Sequence, residues 1–90
     1  MATNFTISTR RKNNKFYVDL KGDFDRSSAH LLLNALRKNS DFEGKIYVDT
    51  NGLRLVSPFS LEIMKRNLTE LKNKSSNIIF IGKYGPTLSP

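Results

Sequence analysis

Ninety residues with a mass of 10.3 kDa fit one compact domain, because two separate cores would leave each half too short to hold without disulfides or metals. A hydrophobic share of 38% with six Phe and three Tyr excludes gross disorder, and no apolar run approaches the length that crosses a bilayer. Fifteen Lys and Arg against eight Asp and Glu give a formal charge of +7, which favours anionic partners, and the absence of Cys removes disulfide frameworks, thiolate metal sites and cysteine nucleophiles together.

Met1 to Ser8 is polar and lacks a basic stretch followed by an apolar run, so no secretory signal is read there. A cytoplasmic protein is expected. Phe5 to Arg11 and Phe16 to Leu20 alternate in character, and Lys12, Asn13, Asn14 and Lys15 between them suit a tight turn, which predicts a hairpin. In the second arm Phe16, Val18 and Leu20 share one face while Tyr17, Asp19 and Lys21 take the other, until Gly22 ends the strand.

Ala29, Leu32, Leu33 and Leu36 recur at helical spacing, with Asp25 or Ser27 placed to cap the start and the end expected near Asn39. A third strand is read over Lys45 to Asp49, bounded by Gly44 and the Asn51-Gly52 turn pair. Ser57 followed by Pro58 starts a second helix: the hydroxyl accepts a free backbone N–H, and proline is favoured where that donor lacks a partner. Leu61, Met64, Leu68 and Leu71 form its buried stripe, and it ends over Asn73 to Ser76. Ile78 to Ile81 is a continuous apolar run that reads as a central strand covered on both faces, after which Tyr84 to Pro90 reads as a tail. The order β-β-α-β-α-β predicts a small mixed four-stranded α/β sheet in which each strand-helix-strand step joins parallel strands.

The chemistry-bearing residues are few. His30 is the single histidine and reads as a solvated helix residue, and the isolated glycines form no phosphate-binding loop. Asp23 and Asp25 are spaced for acid/base work, but carboxylates before a helix more simply meet its unpaired N–H groups. Arg10, Arg11, Lys12 and Lys15 are the densest basic cluster, and would serve a nucleic acid or other polyanion if Tyr17 or Tyr47 faced outward beside them. The second helix carries the sharpest conflict: at 100° per residue Phe59 points nearly opposite the apolar stripe and Ile63 lies well off it. Phe59 is therefore either folded under a neighbouring loop or exposed as a contact residue.

Gly22-Asp23-Phe24-Asp25 with the helix after it, Ile46-Tyr47-Val48-Asp49, Asn51-Gly52-Leu53, the approach through Leu55-Val56, the helix from Pro58 and the strand Ile78 to Gly82 together resemble the STAS domain, the family of the bacterial anti-sigma factor antagonists. The resemblance covers Phe5 to Lys83. It implies a non-enzymatic regulatory module without cofactor or metal, whose partner is a regulatory protein such as an anti-sigma factor or sensor kinase. Family members carry Asp-Ser-Ser-Gly, or Thr at the second Ser, before the second helix, and the second hydroxyl is phosphorylated. The matching residues here are Ser57, Pro58, Phe59 and Ser60, so a phenyl ring stands at the acceptor position. The resemblance thus implies a partner-binding surface of Asp23, Asp25, Ser57, Pro58, Phe59, Ser60 and Ile63 that lacks the usual phosphoryl switch, with Ser57 and Ser60 left as the nearby hydroxyls. It also implies that the family's last helix is missing, leaving apolar area that a partner or a second copy would cover.

Overall fold

The computed structural model describes residues 4–39, 44–74 and 78–88, with side chains described to residue 70 of the second helix. Leu71, the helix end at Ser75 and Ser76, and Ser89 and Pro90 of the expected tail lie outside the described side chains or residues. The elements are β1 (Thr6–Lys12), β2 (Lys15–Phe24), α1 (Arg26–Lys38), β3 (Lys45–Val56), α2 (Pro58–Lys74), β4 (Ile78–Ile81) and the single turn α3 (Gly85–Leu88). They form one sheet of order β1-β2-β3-β4, antiparallel in its first pair and parallel in the other two.

The hairpin turn is tighter than the four residues expected. Lys12 and Lys15 already face each other across the ladder, and Asn13 alone takes the left-handed conformation, at φ 56°. Beyond it, Phe16, Val18 and Leu20 are buried as their alternation predicts. They meet Ile46 and Val48 of β3 and are roofed by Ala29, Leu32, Leu33 and Leu36 of α1 with Met64 and Leu68 of α2. Each fully buried aliphatic or aromatic side chain contributes about 1.5–3 kcal/mol. Two successive crossovers of one hand, leading from β2 to β3 and from β3 to β4, lay both helices on the same face of the sheet, where Arg37 of α1 donates to Asn67 of α2. No described element packs on the opposite face.

Two boundaries differ from the sequence reading, both for the same reason: turn chemistry also serves irregular strands. Strand β2 runs past Gly22 to Phe24, with irregular register on either side of the glycine. Strand β3 continues through Asn51-Gly52 to Val56, because that pair forms a bulge rather than a turn. A β-carbon on Gly52 would lie 2.6 Å from the Leu20 carbonyl oxygen, so the bulge admits only glycine there.

The run Ile78 to Ile81 is an edge strand, not a central one. Only Ile78 is buried, while Ile79, Phe80 and Ile81 are half-buried. After it the chain does not trail off: α3 folds back and buries Leu88 in the core. Thr50 fixes this return, its buried hydroxyl donating to the Ile81 carbonyl at 2.8 Å and accepting the Tyr84 N–H at 3.0 Å. The turn pivots on Gly82 at φ 95°, where a β-carbon would sit 2.8 Å from both the Asn51 nitrogen and the Thr50 hydroxyl. Gly82→Ala will therefore cost about 1–3 kcal/mol, read as a lower urea midpoint at unchanged slope.

Candidate functional site at the two helix starts

Phe24 and Val56 are neighbours in the parallel β2/β3 ladder, so the two strands end side by side and release α1 and α2 from adjacent points. Such carboxyl-terminal strand ends are where open α/β sheets place their sites. One carbonyl ties the two exits together: Phe24 O accepts the Ser57 N–H at 2.9 Å and the Ser60 hydroxyl at 3.1 Å. Ser57 caps α2, its Oγ accepting the Ser60 N–H at 3.2 Å, with Pro58 in the first helical position.

This arrangement separates the expected contact residues. Ser60 is fully buried and its hydroxyl also donates to Ser57 O at 2.6 Å, so a kinase reaches it only if the helix start opens. Its place four and eight residues before Met64 and Leu68 puts it on the buried side of α2, a phase that its polar side chain masks in the sequence. Ile63, grouped with the contact residues, is half-buried and packs partly against the core. Phe59 is the opposite case. It is 61% exposed, with the Arg26 guanidinium of α1 5.3 Å above its ring. Leu55, at the end of β3, is also exposed, at 49%.

The carboxylates are both engaged. Asp23 accepts from the Arg54 guanidinium through both oxygens, at 3.0 and 3.1 Å. With the Arg54 side chain 66% exposed, the pair contributes up to about 1 kcal/mol and chiefly orients the two groups. Asp25, rather than Ser27, caps α1, accepting the Ser28 N–H at 3.0 Å and the Ser28 hydroxyl at 3.1 Å. The bond from the Ser28 amide is the main reason that the Asp25 carboxyl is held below its ordinary value, against a smaller opposing effect of burial.

Asp25→Ala will remove about 1 kcal/mol of stability at neutral pH. Because the folded-state pKa is depressed, the wild-type advantage is complete above the ordinary carboxylate range and vanishes as pH falls through the lowered folded value. Urea midpoints of the two proteins should thus converge in acid. A gap that stayed constant with pH would show that the carboxylate is not the cap.

The basic cluster is split by the strand pleat. Arg10, Lys12 and Lys15 share the uncovered sheet face with Tyr17, while Arg11 lies on the other side with its guanidinium 5.8 Å from the Phe16 ring. His30 is exposed on α1, as its helical phase predicts. No helix among the described residues is long and apolar enough to cross a membrane.

No protein-family model matches this chain, and no curated protein matches it in sequence. Solved structures do match in shape. A STAS-domain antisigma-factor antagonist from Rhodobacter sphaeroides superposes with a TM-score of 0.70 at 8% identity, over 91% of this chain and 90% of its own. The structure described as Mglu gives 0.69 at 11% identity over 81% of this chain, which spans only 18% of that protein's length. An uncharacterized protein from Shewanella loihica with a SpoIIAA-like fold gives 0.50 at 17% identity, over 89% of this chain and 70% of its own. Nothing in these descriptions favours polyanion binding. With the mixed four-stranded sheet and its two neighbouring crossover helices, the similarity establishes that this chain has a STAS-like fold.

Proposed function

We propose that this domain is a non-enzymatic module of bacterial regulation, resembling an anti-sigma factor antagonist, that captures a signalling protein at the start of α2 without a phosphoryl switch. The partner class is an anti-sigma factor or sensor kinase, met in the cytoplasm. The observation that carries this reading is the Phe59 ring, 61% exposed at the position where the family it resembles has its acceptor hydroxyl. An aromatic held out at a helix start, with exposed Leu55 on the adjoining strand and charged Arg26, Arg54 and Asp23 around them, has the composition of a contact with an apolar centre and a polar rim. The two carboxylates support a binding role rather than acid/base work, since one is chelated by arginine and the other caps a helix.

The test is capture by the immobilised protein from its native cells, with identification of the bound chain and a titration of the purified pair against wild type and Phe59→Ala. Loss of capture in the variant supports the reading. Equal capture by both proteins, or a homodimer as the sole species involving this surface, overturns it.

A further inference from the structure

The uncovered face of the sheet carries an ordered set of side chains that the helix-start site does not use. Pairing places Lys12, Lys15 and Lys45 in one row across β1, β2 and β3, all three exposed. The next row on the same face is Arg10, Tyr17, Tyr47 and Ile79, a band that spans all four strands. Within it the Arg10 guanidinium lies 4.5 Å from the centre of the Tyr17 ring, and the two tyrosine rings stack with centroids 5.4 Å apart. The band therefore presents its outer edges rather than open ring faces, and Tyr17, Tyr47 and Ile79 are half-buried with no described element over them. The third row holds Ser8, Asp19, Asp49 and Ile81. Asp19 accepts from Arg10 at 2.9 Å, whereas Asp49 and Lys45 have no ion-pair partner among the described residues. A hollow of about 430 Å³ opens beside the two acids, with Ser8, Lys21 and Asn51 around it.

We propose that this face pairs with the same face of a second copy, strands antiparallel, about a two-fold axis that lies between the sheets along the Tyr17–Tyr47–Ile79 band. The occupant follows from the order of the rows, which runs cationic, apolar, anionic. Reversing that order gives its complement, and a second copy turned about the middle row supplies the reversal. Successive rows lie about 7 Å apart, so Lys15 of one copy comes over Asp19 of the other and Lys45 over Asp49, each contact being made twice. The apolar band closes on itself, and the charged pairs form its rim. Lys45 and Asp49 each gain the opposite charge that their own chain does not supply, and the hollow beside Asp49 leaves room for the incoming lysine stem. An axis parallel to the strands would set lysine on lysine and aspartate on aspartate, which repulsion excludes. A polyanion satisfies the first row and is repelled by the third. Because one face carries both halves of the contact, assembly closes at two copies. The +7 charge of each chain is screened beyond about 8 Å at physiological salt, which leaves the close pairs in force. A footprint four strands wide and three rows long is roughly 19 by 20 Å, at the small end of specific interfaces, so the dimer is reversible rather than obligate. The proposal is independent of partner capture at Phe59, which lies at the start of α2.

Sedimentation equilibrium of the purified chain, from micromolar to near-millimolar concentration at physiological salt, tests it. Wild type should pass reversibly from monomer to dimer and stop there. Lys45→Glu sets acid against Asp49 across the axis, and Asp49→Lys sets cation against Lys45, so each variant alone should dimerise at least about 10-fold more weakly. An equimolar mixture of the two variants brings opposite charges together again and should recover the wild-type affinity as a heterodimer. Circular dichroism checks that both variants remain folded; if Asp49→Lys does not, the wild-type and Lys45→Glu series decide between them. Phe59→Ala should dimerise as wild type does. A chain that stays monomeric throughout overturns the proposal. So does a dimer indifferent to Lys45→Glu, a mixture that associates no more tightly than either variant alone, or a dimer lost on Phe59→Ala.

Discussion

Phe24→Ala is expected to remove about 3–5 kcal/mol, most of the stability of a domain whose total is on the order of 5–10 kcal/mol. Phe24 is 0% exposed, and its ring meets Phe5 edge-on with centroids 5.9 Å apart. Truncation therefore leaves a cavity beneath β2 and discards an aromatic contact worth about 0.5–1.5 kcal/mol within that sum. The effect extends beyond the core, because the carbonyl of this residue receives both the Ser57 amide and the Ser60 hydroxyl. When the side chain no longer fixes the strand end, the start of α2 loses its anchor. Urea denaturation followed by circular dichroism checks the loss, and amide exchange at Ser57 and Ser60 should rise with it. A variant that unfolds within about 1 kcal/mol of wild type would show that the ring is not a structural keystone.

Phe59→Ala is expected to do the reverse: the fold stays and the partner leaves. Truncating an aromatic anchor costs 2 kcal/mol or more of binding, about 30-fold or greater in Kd. The ring touches little of its own protein beyond the Arg26 guanidinium, and an exposed cation-π contact contributes only about 0.5–1 kcal/mol. The thermal midpoint should accordingly fall by about 2–8 °C. Calorimetry with the purified partner and a melting curve on the free variant give the two numbers. A large drop in melting temperature would relocate Phe59 to the folding core, and unchanged affinity would remove it from the contact.

The contrast between these two phenylalanines was half legible in the sequence. Phe59 stood out because its helical phase opposes Met64 and Leu68, and the exposed ring resolves that conflict. Helix α1 was equally plain, since Ala29, Leu32, Leu33 and Leu36 are all buried and Asp25 is a residue type that caps helices. The misread boundaries share a physical cause: Gly22 and Asn51-Gly52 have the conformational freedom for a turn, and a bulge draws on the same freedom without ending the strand. The run Ile78 to Ile81 looked doubly covered because hydrophobicity reports apolar surroundings and not the number of neighbouring strands. Gly85-Pro86 looked like a stop, although proline is tolerated in a helix's first turn, where it sits in α3. What no periodicity could reveal was pairing across distance: the Asp23–Arg54 chelate joins residues 31 apart, and the tyrosine stack needs the strand register before it exists.

The two rims of the sheet differ in a way that bears on aggregation. The outer rim of β1 carries Arg10, Arg11 and Lys12 in succession, so a second molecule approaching edge to edge meets like charge before it meets backbone. The outer rim of β4 has no such charge but spans only four residues before Gly82 bends the chain away. Resistance to fibril growth thus rests on repulsion at one rim and on brevity at the other, and neutralising the arginine-lysine rim would leave the longer template exposed.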